Sequence, residues 1–349
     1  MNKDINRLVR KNILALAPYS TARDEFEGVA DTWLDANESP YSSGWNRYPD
    51  PRQKTLKARI SEIKEIPQEN IFLGNGSDEA IDLIYRIFCN PGKDNVVAIA
   101  PTYGMYAVEA GINDVEYRPV QLGEGFAFDG GALLAAADAN TKVIFICSPN
   151  NPTGNAFDPE EMLEVARRFS GLVVIDEAYI DFGYETSMAG YIAECPNLIV
   201  LQTLSKARGM AALRIGMAFA DKAVIGLMNN VKYPYNISGA AQKEALELLG
   251  KDIEGELSEI RLEHSRVLQN LVWYNCVEKV YPSQGNFVLA RVSDPDAIYD
   301  WLVKDGIIVR NRSRVKGCEG CLRITIGLAE ENDRLFKSLG EYEKSNIRR

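Results

Sequence analysis

The sequence predicts an α/β protein with a large domain, built on a mostly parallel sheet between helices, and a smaller α+β domain. The chain has 349 residues, which at roughly 150 residues per domain is enough for about two domains. From about residue 70 to 220, short and continuously apolar runs alternate with amphipathic stretches, as buried parallel strands alternate with the helices that cover them. Beyond Pro234 a helical periodicity of about 3.6 residues replaces that alternation.

We predict the elements of the large domain in chain order from these patterns. Residues 1–30 form a helical arm that turns at Pro18. Six apolar runs are predicted to be strands, and two amphipathic segments between them are predicted to be helices. The strands are residues 71–73, 96–100, 143–147, 172–175, 198–201 and 215–220. The helices are residues 77–88 and 159–169.

The smaller domain follows a single long helix that the periodicity predicts from Ala240 to about Trp273. Strands are expected near residues 287–292, 307–310 and 322–326, with a helix over residues 295–304. We place the domain change within residues 235–250, on the long helix. The predicted division is therefore an N-terminal arm of residues 1–29, a large domain of residues 30–245 and a small domain of residues 246–349.

The composition is that of an ordinary globular protein, and it excludes several functional classes. Hydrophobic residues make up 46% and charged residues 25% of the chain, which is close to average usage. The formal net charge of −10 argues against general nucleic-acid binding, because phosphate contacts need clustered cations. The single histidine, His264, excludes multi-histidine metal sites and disfavours serine–histidine triads. We expect it to be an ordinary, partly exposed residue.

The N-terminal residues and the cysteines indicate a cytoplasmic protein. No apolar segment typical of a secretory signal follows Met1, and the longest apolar runs are far shorter than the roughly 20 residues of a membrane span. The six cysteines are scattered, so we expect reduced thiols. Cys318 and Cys321 have a spacing found in metal sites. Because no second Cys or His pair accompanies them, we interpret them as two incidental thiols in a loop.

Lys206 and Asp176 each follow an apolar run at the end of a predicted strand. Ligands bind at the carboxyl ends of strands in open α/β sheets. Lys206 could therefore be a Schiff-base lysine that holds an aldehyde cofactor, and the alternative is a surface lysine. Asp176 could pair with a protonated pyridine nitrogen, and the alternatives are metal binding or capping of the next helix. The two residues occur one strand apart, which favours a joint role.

Three further segments carry weaker signals for the same kind of site. Ser148-Pro149-Asn150-Asn151-Pro152-Thr153-Gly154 follows a strand and predicts a rigid turn with directed amide side chains, although plain β-turns share these residue types. Before the helix 77–88, small residues leave the backbone N–H groups of Ser77 and Asp78 free to bind a phosphate or to be capped. Arg214, beside an apolar strand, needs an anion, which is either a phosphate or a protein carboxylate.

In this order, the segments resemble the fold-type I pyridoxal-phosphate aminotransferases, in their class II subfamily. They are Gly76-Ser77-Asp78-Glu79, Pro101-Thr102-Tyr103, residues 148–154, Asp176-Glu177-Ala178-Tyr179, Ser205-Lys206 and Arg214, with Pro18-Tyr19-Ser20, residues 34–38, Arg47-Tyr48-Pro49 and Leu322-Arg323-Ile324-Thr325. The resemblance covers nearly the whole chain. It implies a seven-stranded, mostly parallel sheet, pyridoxal 5′-phosphate as the cofactor, and a homodimer with shared active sites.

The resemblance also implies a role for each matching residue. Lys206 binds the cofactor covalently and moves the substrate proton, Asp176 pairs with the ring nitrogen, and Tyr179 assists as the third catalytic residue. The remaining cofactor contacts are Ser77, Asp78, Tyr103, Asn151, Ser205, Arg214 and, reaching across from the neighbouring subunit, Tyr48. The substrate contacts are Arg323, Asn37, Tyr19, Asn151 and Arg310. Arg323 receives either the α-carboxylate of glutamate or the phosphate of the other substrate.

Within the family, the resemblance implies amino transfer between L-histidinol phosphate and 2-oxoglutarate in histidine biosynthesis, giving imidazole acetol phosphate and glutamate. An aromatic amino-acid aminotransferase and a threonine-phosphate decarboxylase of the same fold are the alternatives. A non-enzymatic pyridoxal-phosphate-binding regulator is a further one. It would need an added DNA-binding segment, for which the roughly 30 residues before the large-domain signals leave no room, and the acidic charge disfavours it.

Overall fold

The computed structural model describes residues 5–347 except for residues 20, 22, 24, 25, 27 and 29. Part of the predicted arm of residues 1–29, and Ser20 of the 18–20 segment, therefore lie outside the described residues. Within the described part, the strands form a seven-stranded sheet and a four-stranded sheet. This architecture confirms the predicted α/β class with a mostly parallel main sheet.

The strands of the large sheet follow the predicted apolar runs closely. They are β1 (Ile71–Asn75), β2 (Asn95–Ala100), β3 (Glu116–Gln121), β4 (Thr141–Cys147), β5 (Leu172–Asp176), β6 (Leu198–Thr203) and β7 (Ile215–Ala220). Their spatial order is β1-β7-β6-β5-β4-β2-β3, in which β7 runs antiparallel to both of its neighbours and the other pairs are parallel. Every residue of β5, β6 and β7 is buried, as expected for strands that helices cover on both faces.

In chain order, the helices of the described residues first alternate with these strands and later with the strands of the second sheet. They are α1 (Lys11–Leu14), α2 (Lys54–Lys64), α3 (Ser77–Phe88), α4 (Met105–Ile112), α5 (Gly130–Ala136), α6 (Pro159–Arg168), α7 (Lys222–Val231), α8 (Gly239–Leu248), α9 (Glu254–Leu271), α10 (Pro295–Lys304) and α11 (Ala329–Ile347). Short 3₁₀ segments lie at Ile5–Arg7, Gln68–Asn70, Glu124–Phe126, Ile180–Phe182, Met188–Tyr191 and Ala211–Leu213. The predicted helices 77–88 and 295–304 have the observed bounds.

The second sheet is antiparallel, with the order β10-β11-β9-β8. Its strands are β8 (Val277–Val280), β9 (Phe287–Val292), β10 (Arg310–Asn311) and β11 (Cys321–Thr325). Buried side chains from α9, α10 and α11 pack on it and form a core separate from that of the large sheet. The exact division into residues 1–29, 30–245 and 246–349 stays a prediction.

The predicted single helix from Ala240 to Trp273 is wrong, because the structure has two helices there, α8 and α9. The break contains Gly250, and glycine is the poorest helix former after proline. The amide of Leu249 still bonds to Ala245 O at 2.8 Å, whereas the amide of Gly250 turns to Glu247 O at 3.2 Å. The apolar periodicity continues across this break, which is why it indicated one helix.

Two strands were missing from the sequence prediction, and one was shifted. Both β3 and β8 lie at sheet edges, and their alternating or exposed polar residues resemble a loop. The predicted strand 307–310 begins only at Arg310, because the Ile307 amide bonds back to Leu302 O at 2.8 Å and closes the end of α10. The missed strands contribute no side chain to the site described below.

All six cysteines are free thiols and all are buried. Cys318 and Cys321 pack around Leu289 in a small apolar cluster. In the part of the chain that the structure covers, no group of His, Cys, Asp and Glu side chains is arranged to hold a metal ion. None of the described helices has both the length and the apolar character needed to cross a membrane.

Candidate active site

A cavity of about 780 Å³ lies at the carboxyl ends of β4, β5 and β6 and extends to the strands of the small sheet. In the register of the sheet, Cys147 at the end of β4 lies opposite Asp176 at the end of β5. Parallel strands end at one edge of a sheet, so the polar residues that follow them come together there. Eleven of the predicted site residues line this cavity: Ser77, Asp78, Tyr103, Asn151, Asp176, Tyr179, Ser205, Lys206, Arg214, Arg310 and Arg323.

Asp176 is the most deeply buried charged group of the cavity, with 3% of its surface exposed. One carboxylate oxygen accepts a hydrogen bond from the Tyr106 hydroxyl at 2.6 Å, and the other accepts one from the Ala178 amide at 3.1 Å. Burial raises the pKa of Asp176, and these two hydrogen bonds oppose the rise. A carboxylate in this environment is strongly stabilised by any cation that enters the cavity and faces it.

Lys206 lies on the connection from β6 to β7 and is accessible from the cavity. Loss of solvent around the side chain, together with repulsion from Arg323, lowers the pKa of its amine. Its Nζ atom lies 5.6 Å from the centre of the Tyr179 ring. The lowered pKa increases the fraction of neutral amine, which is the form that attacks a carbonyl carbon.

Tyr179 is connected to the small sheet through an amide side chain. Asn151 Nδ2 donates a hydrogen bond to the Tyr179 hydroxyl oxygen at 3.3 Å. The Oδ1 atom of Asn151 accepts a hydrogen bond from Arg323 Nη1 on β11. The three residues therefore form one continuous polar wall, in which the 148–154 turn joins the end of β5 to the small sheet.

Ser77, Asp78, Ser205 and Arg214 form a group that we call the anion cradle. Helix α3 begins at Ser77 after Gly76, and within the described residues no side chain caps its first turn. The Arg214 guanidinium lies 3.4 Å from the Asp78 carboxylate. The free N–H groups of a helix N-terminus and an arginine are the donors that phosphate groups bind in proteins.

Two glycines make room for this cradle. A Cβ on Gly216 would lie 2.1 Å from the Ser77 backbone nitrogen, and a Cβ on Gly76 would lie 2.5 Å from Arg214 Nη2. Gly76 also has a φ of +77°, which side chains disfavour. Only glycine allows β7 and the arginine to approach the first turn of α3 this closely.

Tyr103 forms part of the cavity wall between the cradle and the buried acid. Its hydroxyl donates to Asp78 Oδ1 at 3.0 Å, and its ring meets the Tyr106 ring edge to face at 5.7 Å. Burial and the neighbouring Asp78 carboxylate raise the pKa of Tyr103, so the phenol remains protonated. An aromatic ring held in this way offers a flat surface to a planar ligand.

Three arginines form the opposite side of the cavity: Arg310 on β10, Arg323 on β11 and Arg312 on the loop between them. Arg310 is paired with Arg323 in the register of β10 and β11. Within the described residues, none of the three forms an ion pair with a carboxylate, and the Nε atoms of Arg312 and Arg323 are buried without a hydrogen-bond partner. Burial, and repulsion from Arg310, lower the pKa of Arg312. This unbalanced positive charge favours an anionic ligand.

Three predicted site residues do not line the cavity of this single chain. Tyr19 is 75% exposed, and Asn37 is also exposed. Tyr48 is 53% exposed and stacks on Tyr235 with 4.4 Å between ring centres. Their roles stay predictions, and the role of Tyr48 requires a second subunit.

Sequence reasoning missed two residues of the site, Tyr106 and Arg312. Tyr106 lies inside an ordinary amphipathic helix, where an apolar ring is expected to belong to the core. Arg312 follows Arg310 after one residue, and such alternation along a strand indicates that both side chains point to one face. That spacing was the available signal for Arg312, whereas none marked Tyr106.

The residues present fit the pyridoxal phosphate that the sequence predicts. The anion cradle offers donors for a phosphate, and the glycines at 76 and 216 keep its space open. Asp176 is a buried carboxylate whose pKa is raised by burial and whose two hydrogen bonds come from neutral donors, so a protonated ring nitrogen would supply it with a close cationic partner. Lys206 supplies the amine that an aldehyde requires.

Comparison with known proteins places the chain among aminotransferases. Residues 16–339 match the family described as "Aminotransferase class I and II". The histidinol-phosphate aminotransferase of Bacteroides fragilis is 52% identical over 344 residues, which cover 98% of this chain and all of the relative. That of Parabacteroides distasonis is 52% identical over 339 residues, covering 97% of this chain and 98% of the relative.

Solved structures show the same fold. The histidinol-phosphate aminotransferase of Clostridium acetobutylicum superposes with a TM-score of 0.80 at 25% identity, over 86% of this chain and 92% of that one. The L-threonine-O-3-phosphate decarboxylase of Porphyromonas gingivalis has a TM-score of 0.73 at 20% identity, over 86% and 91% of the two chains. The second likeness establishes a shared fold only, because enzymes of different activity share it.

Proposed function

Since the chain belongs to the class I and II aminotransferases, and within them to the family of histidinol-phosphate aminotransferases, we propose that it transfers the amino group between L-histidinol phosphate and 2-oxoglutarate. The products are imidazole acetol phosphate and glutamate, and the reaction is a step of histidine biosynthesis. The cofactor is pyridoxal 5′-phosphate. The observation that carries this proposal is a single cavity that holds a buried acid, a lysine of lowered pKa and an anion cradle.

The large sheet supplies the residues that hold and activate the cofactor. When bound, pyridoxal phosphate supplies an electron-withdrawing ring that stabilises the charge left when a C–H bond of the substrate breaks. Asp176 keeps the ring nitrogen protonated, because a buried carboxylate gains strongly from a charged partner. Lys206 would hold the cofactor through its aldehyde, and its free amine would carry the proton of the substrate carbon. Tyr103 holds one face of the ring.

The small sheet supplies the residues that bind the anionic part of the substrate. Arg323 is held toward the cavity by Asn151, and it receives a carboxylate or a phosphate through its paired N–H groups. Arg310 and Arg312 add positive charge beside it. A dicarboxylic amino acid and a phosphate monoester each carry two negative charges, so both fit the unbalanced charge of this wall.

The position of Tyr48 and the exposed segment around it support a homodimer. Tyr48 lies outside its own cavity, on an exposed segment that Glu38 fixes by accepting bonds from the Tyr48 amide at 2.6 Å and from Arg47 Nη1 at 2.6 Å. The same segment exposes the large apolar side chains of Leu34 and Trp45. We propose that it packs on a second copy and presents Tyr48 to the partner's anion cradle. The reduced thiols suit a cytoplasmic dimer.

A substrate panel tests the proposal. The purified enzyme, loaded with pyridoxal phosphate, is mixed in turn with histidinol phosphate, phenylalanine and threonine phosphate, and the change in cofactor absorbance is followed. Turnover that depends on 2-oxoglutarate and is fastest with histidinol phosphate supports the proposal. A preference for phenylalanine indicates the aromatic alternative, and release of carbon dioxide from threonine phosphate indicates the decarboxylase.

The shared site is tested by mixing subunits. A heterodimer of Tyr48→Phe and Lys206→Ala chains contains one site with both wild-type residues if Tyr48 reaches across the dimer. Mixing the inactive Lys206→Ala homodimer with the impaired Tyr48→Phe homodimer then yields mixed dimers with one intact site each, which contribute up to about one quarter of the wild-type activity because half the dimers of a statistical mixture are mixed. Mixtures that stay at the level of the separate homodimers rule out the cross-subunit contact.

A further inference from the structure

Tyr106 makes the shortest hydrogen bond to Asp176, and the proposed reaction as described so far does not use it. The tyrosine lies on α4, is fully buried, and donates its hydroxyl to Asp176 Oδ2 at 2.6 Å. A hydrogen bond to an ionised acceptor is stronger than one between neutral groups. The contact therefore acts on the charged form of the acid, which is the form that the proposed function needs.

The ring of Tyr106 is fixed by its neighbours, so the hydroxyl has a defined position. It stacks on Phe145 of β4 with ring centres 4.7 Å apart and planes at 14°. The Tyr103 ring meets it edge to face. The Tyr85 hydroxyl donates to the Tyr106 carbonyl oxygen at 2.7 Å and holds the first turn of α4 against α3. Packing of this kind leaves the side chain little freedom to turn away from Asp176.

Titratable groups face Asp176 from several neighbouring elements. Among all the groups around it, Tyr106 opposes the rise in the Asp176 pKa most strongly. Burial is the largest influence and raises the pKa of Asp176. The Tyr106 hydrogen bond is the largest of those that lower it, followed by the Ala178 amide. The other titratable neighbours are Asp78 at the start of α3, Tyr103 before α4, Cys147 at the end of β4, Tyr179 after β5 and Lys206 after β6.

We propose that Tyr106 is a positioning residue that keeps the Asp176 carboxylate ionised and directed at the ring nitrogen of the cofactor. This inference rests on the proposed function, because that function assigns Asp176 to the ring nitrogen. The hydroxyl fixes Oδ2 while the Ala178 amide fixes Oδ1, so the carboxylate plane is held from both sides. The Tyr106 ring also packs edge to face with Tyr103, the side chain proposed to hold the ring face of the cofactor.

The test compares Tyr106→Phe with a matched control, Tyr85→Phe. Both variants remove one buried hydroxyl from the same aromatic cluster, because Tyr85 also stacks on Phe145, with 5.6 Å between ring centres. Only the first removes a hydrogen bond to Asp176. The first readout is the pKa of Asp176 in the apoenzyme, measured from its carboxyl ¹³C signal and assigned with Asp176→Asn. The second is the dissociation constant of pyridoxal phosphate, measured by fluorescence quenching.

The proposal expects a rise of about one pH unit or more in the Asp176 pKa for Tyr106→Phe, and a clearly smaller rise for Tyr85→Phe, which removes only the hydrogen bond to the Tyr106 carbonyl oxygen. It also expects the cofactor dissociation constant to rise roughly tenfold to a hundredfold in the first variant only, which is the ordinary effect of a hydrogen bond to a charged group. Equal titration curves and equal dissociation constants in the two folded variants would overturn it.

A second variant keeps the test decisive if Tyr106→Phe loses its fold. Site-specific 3-fluorotyrosine at position 106 preserves the shape and makes the hydroxyl a stronger donor, so the Asp176 pKa should fall. An unchanged or raised pKa overturns the proposal. The Asp176→Asn protein separates this result from the proposed function. If it binds the cofactor as tightly as the wild type, the assignment of Asp176 itself fails, whatever Tyr106 does.

Discussion

Replacing Gly216 by alanine tests whether the close approach of β7 to the first turn of α3 is needed for cofactor binding. Gly216 pairs with Gly74 of β1 and Thr203 of β6, so its backbone cannot move without disturbing two ladders. A Cβ there would lie 2.1 Å from the Ser77 nitrogen and 2.7 Å from the Ser77 Cα. These are backbone atoms, which cannot rotate aside as a flexible side chain would.

The size of the effect follows from this geometry. Ordinary contact begins at 3.4 Å, so the start of α3 has to move by more than about 1 Å. Forcing an extra methyl group into a packed site costs about 1–3 kcal/mol of unfolding free energy. The same displacement moves the N–H groups of the anion cradle away from the phosphate. Losing one hydrogen bond to a charged group weakens binding by roughly tenfold to a hundredfold.

Gly226→Ala is the matched control. Gly226 lies inside α7, and a Cβ there meets nothing within 4 Å. Because alanine favours a helix over glycine, this variant should gain up to about 1 kcal/mol of unfolding free energy and bind the cofactor as the wild type does. Urea unfolding and titration with pyridoxal phosphate measure the two quantities. A Gly216→Ala protein with wild-type stability and affinity refutes the reasoning.

Three further outcomes are expected. Lys206→Ala should lose the absorbance of the lysine-bound cofactor and nearly all activity, and a retained band would contradict the assignment. Arg312→Ala should raise the KM for the anionic substrate about tenfold, because it removes a cation from the cavity wall. The control Arg314→Ala, which changes an exposed residue, should leave the KM unchanged. Equal KM values for the two variants would exclude Arg312 from substrate binding. Burial raises the pKa of Glu177 from 4.5 to about 7. Between these two pH values the folded chain retains a proton that the unfolded chain releases. The stability that this group contributes therefore falls as the pH rises from about 4.5 through about 7. The new amide of Glu177→Gln can bond to Gln202 Oε1, which has no hydrogen-bond partner in the described residues. Measured by urea unfolding, the free energy of unfolding of this variant should fall between about pH 5 and 8 by about 2–3 kcal/mol less than that of the wild type. An equal fall in both proteins would show that Glu177 does not titrate in this range.

The large sheet could be predicted because its strands are buried on both faces, and burial leaves a continuous apolar run in the sequence. The ends of β4, β5 and β6 were visible in the same way, since each run stops at a polar segment. Edge strands such as β3 carry polar residues and a proline, so they resemble loops until their pairing partner is known. The break at Gly250 was hidden because the apolar spacing continues through it.

Some residues of the candidate site could likewise be predicted from local sequence, and others could not. Lys206 and Asp176 follow strands directly, so local sequence marks them. Tyr106 is identified only by what its hydroxyl touches, which depends on how α4 packs against β4 and β5. Residues such as Tyr48 depend on a second chain. No local pattern contains that information.

The two sheets divide the work of the site, and this has a consequence for protein engineering. The residues proposed to hold the cofactor belong to the large sheet and its connections, whereas the arginines proposed to select the substrate stand on β10, β11 and the loop between them. That loop spans residues 312–320 and begins with Arg312. New specificities could therefore be selected from libraries confined to residues 310–323, because the residues proposed to activate the amine lie outside this segment and would be retained.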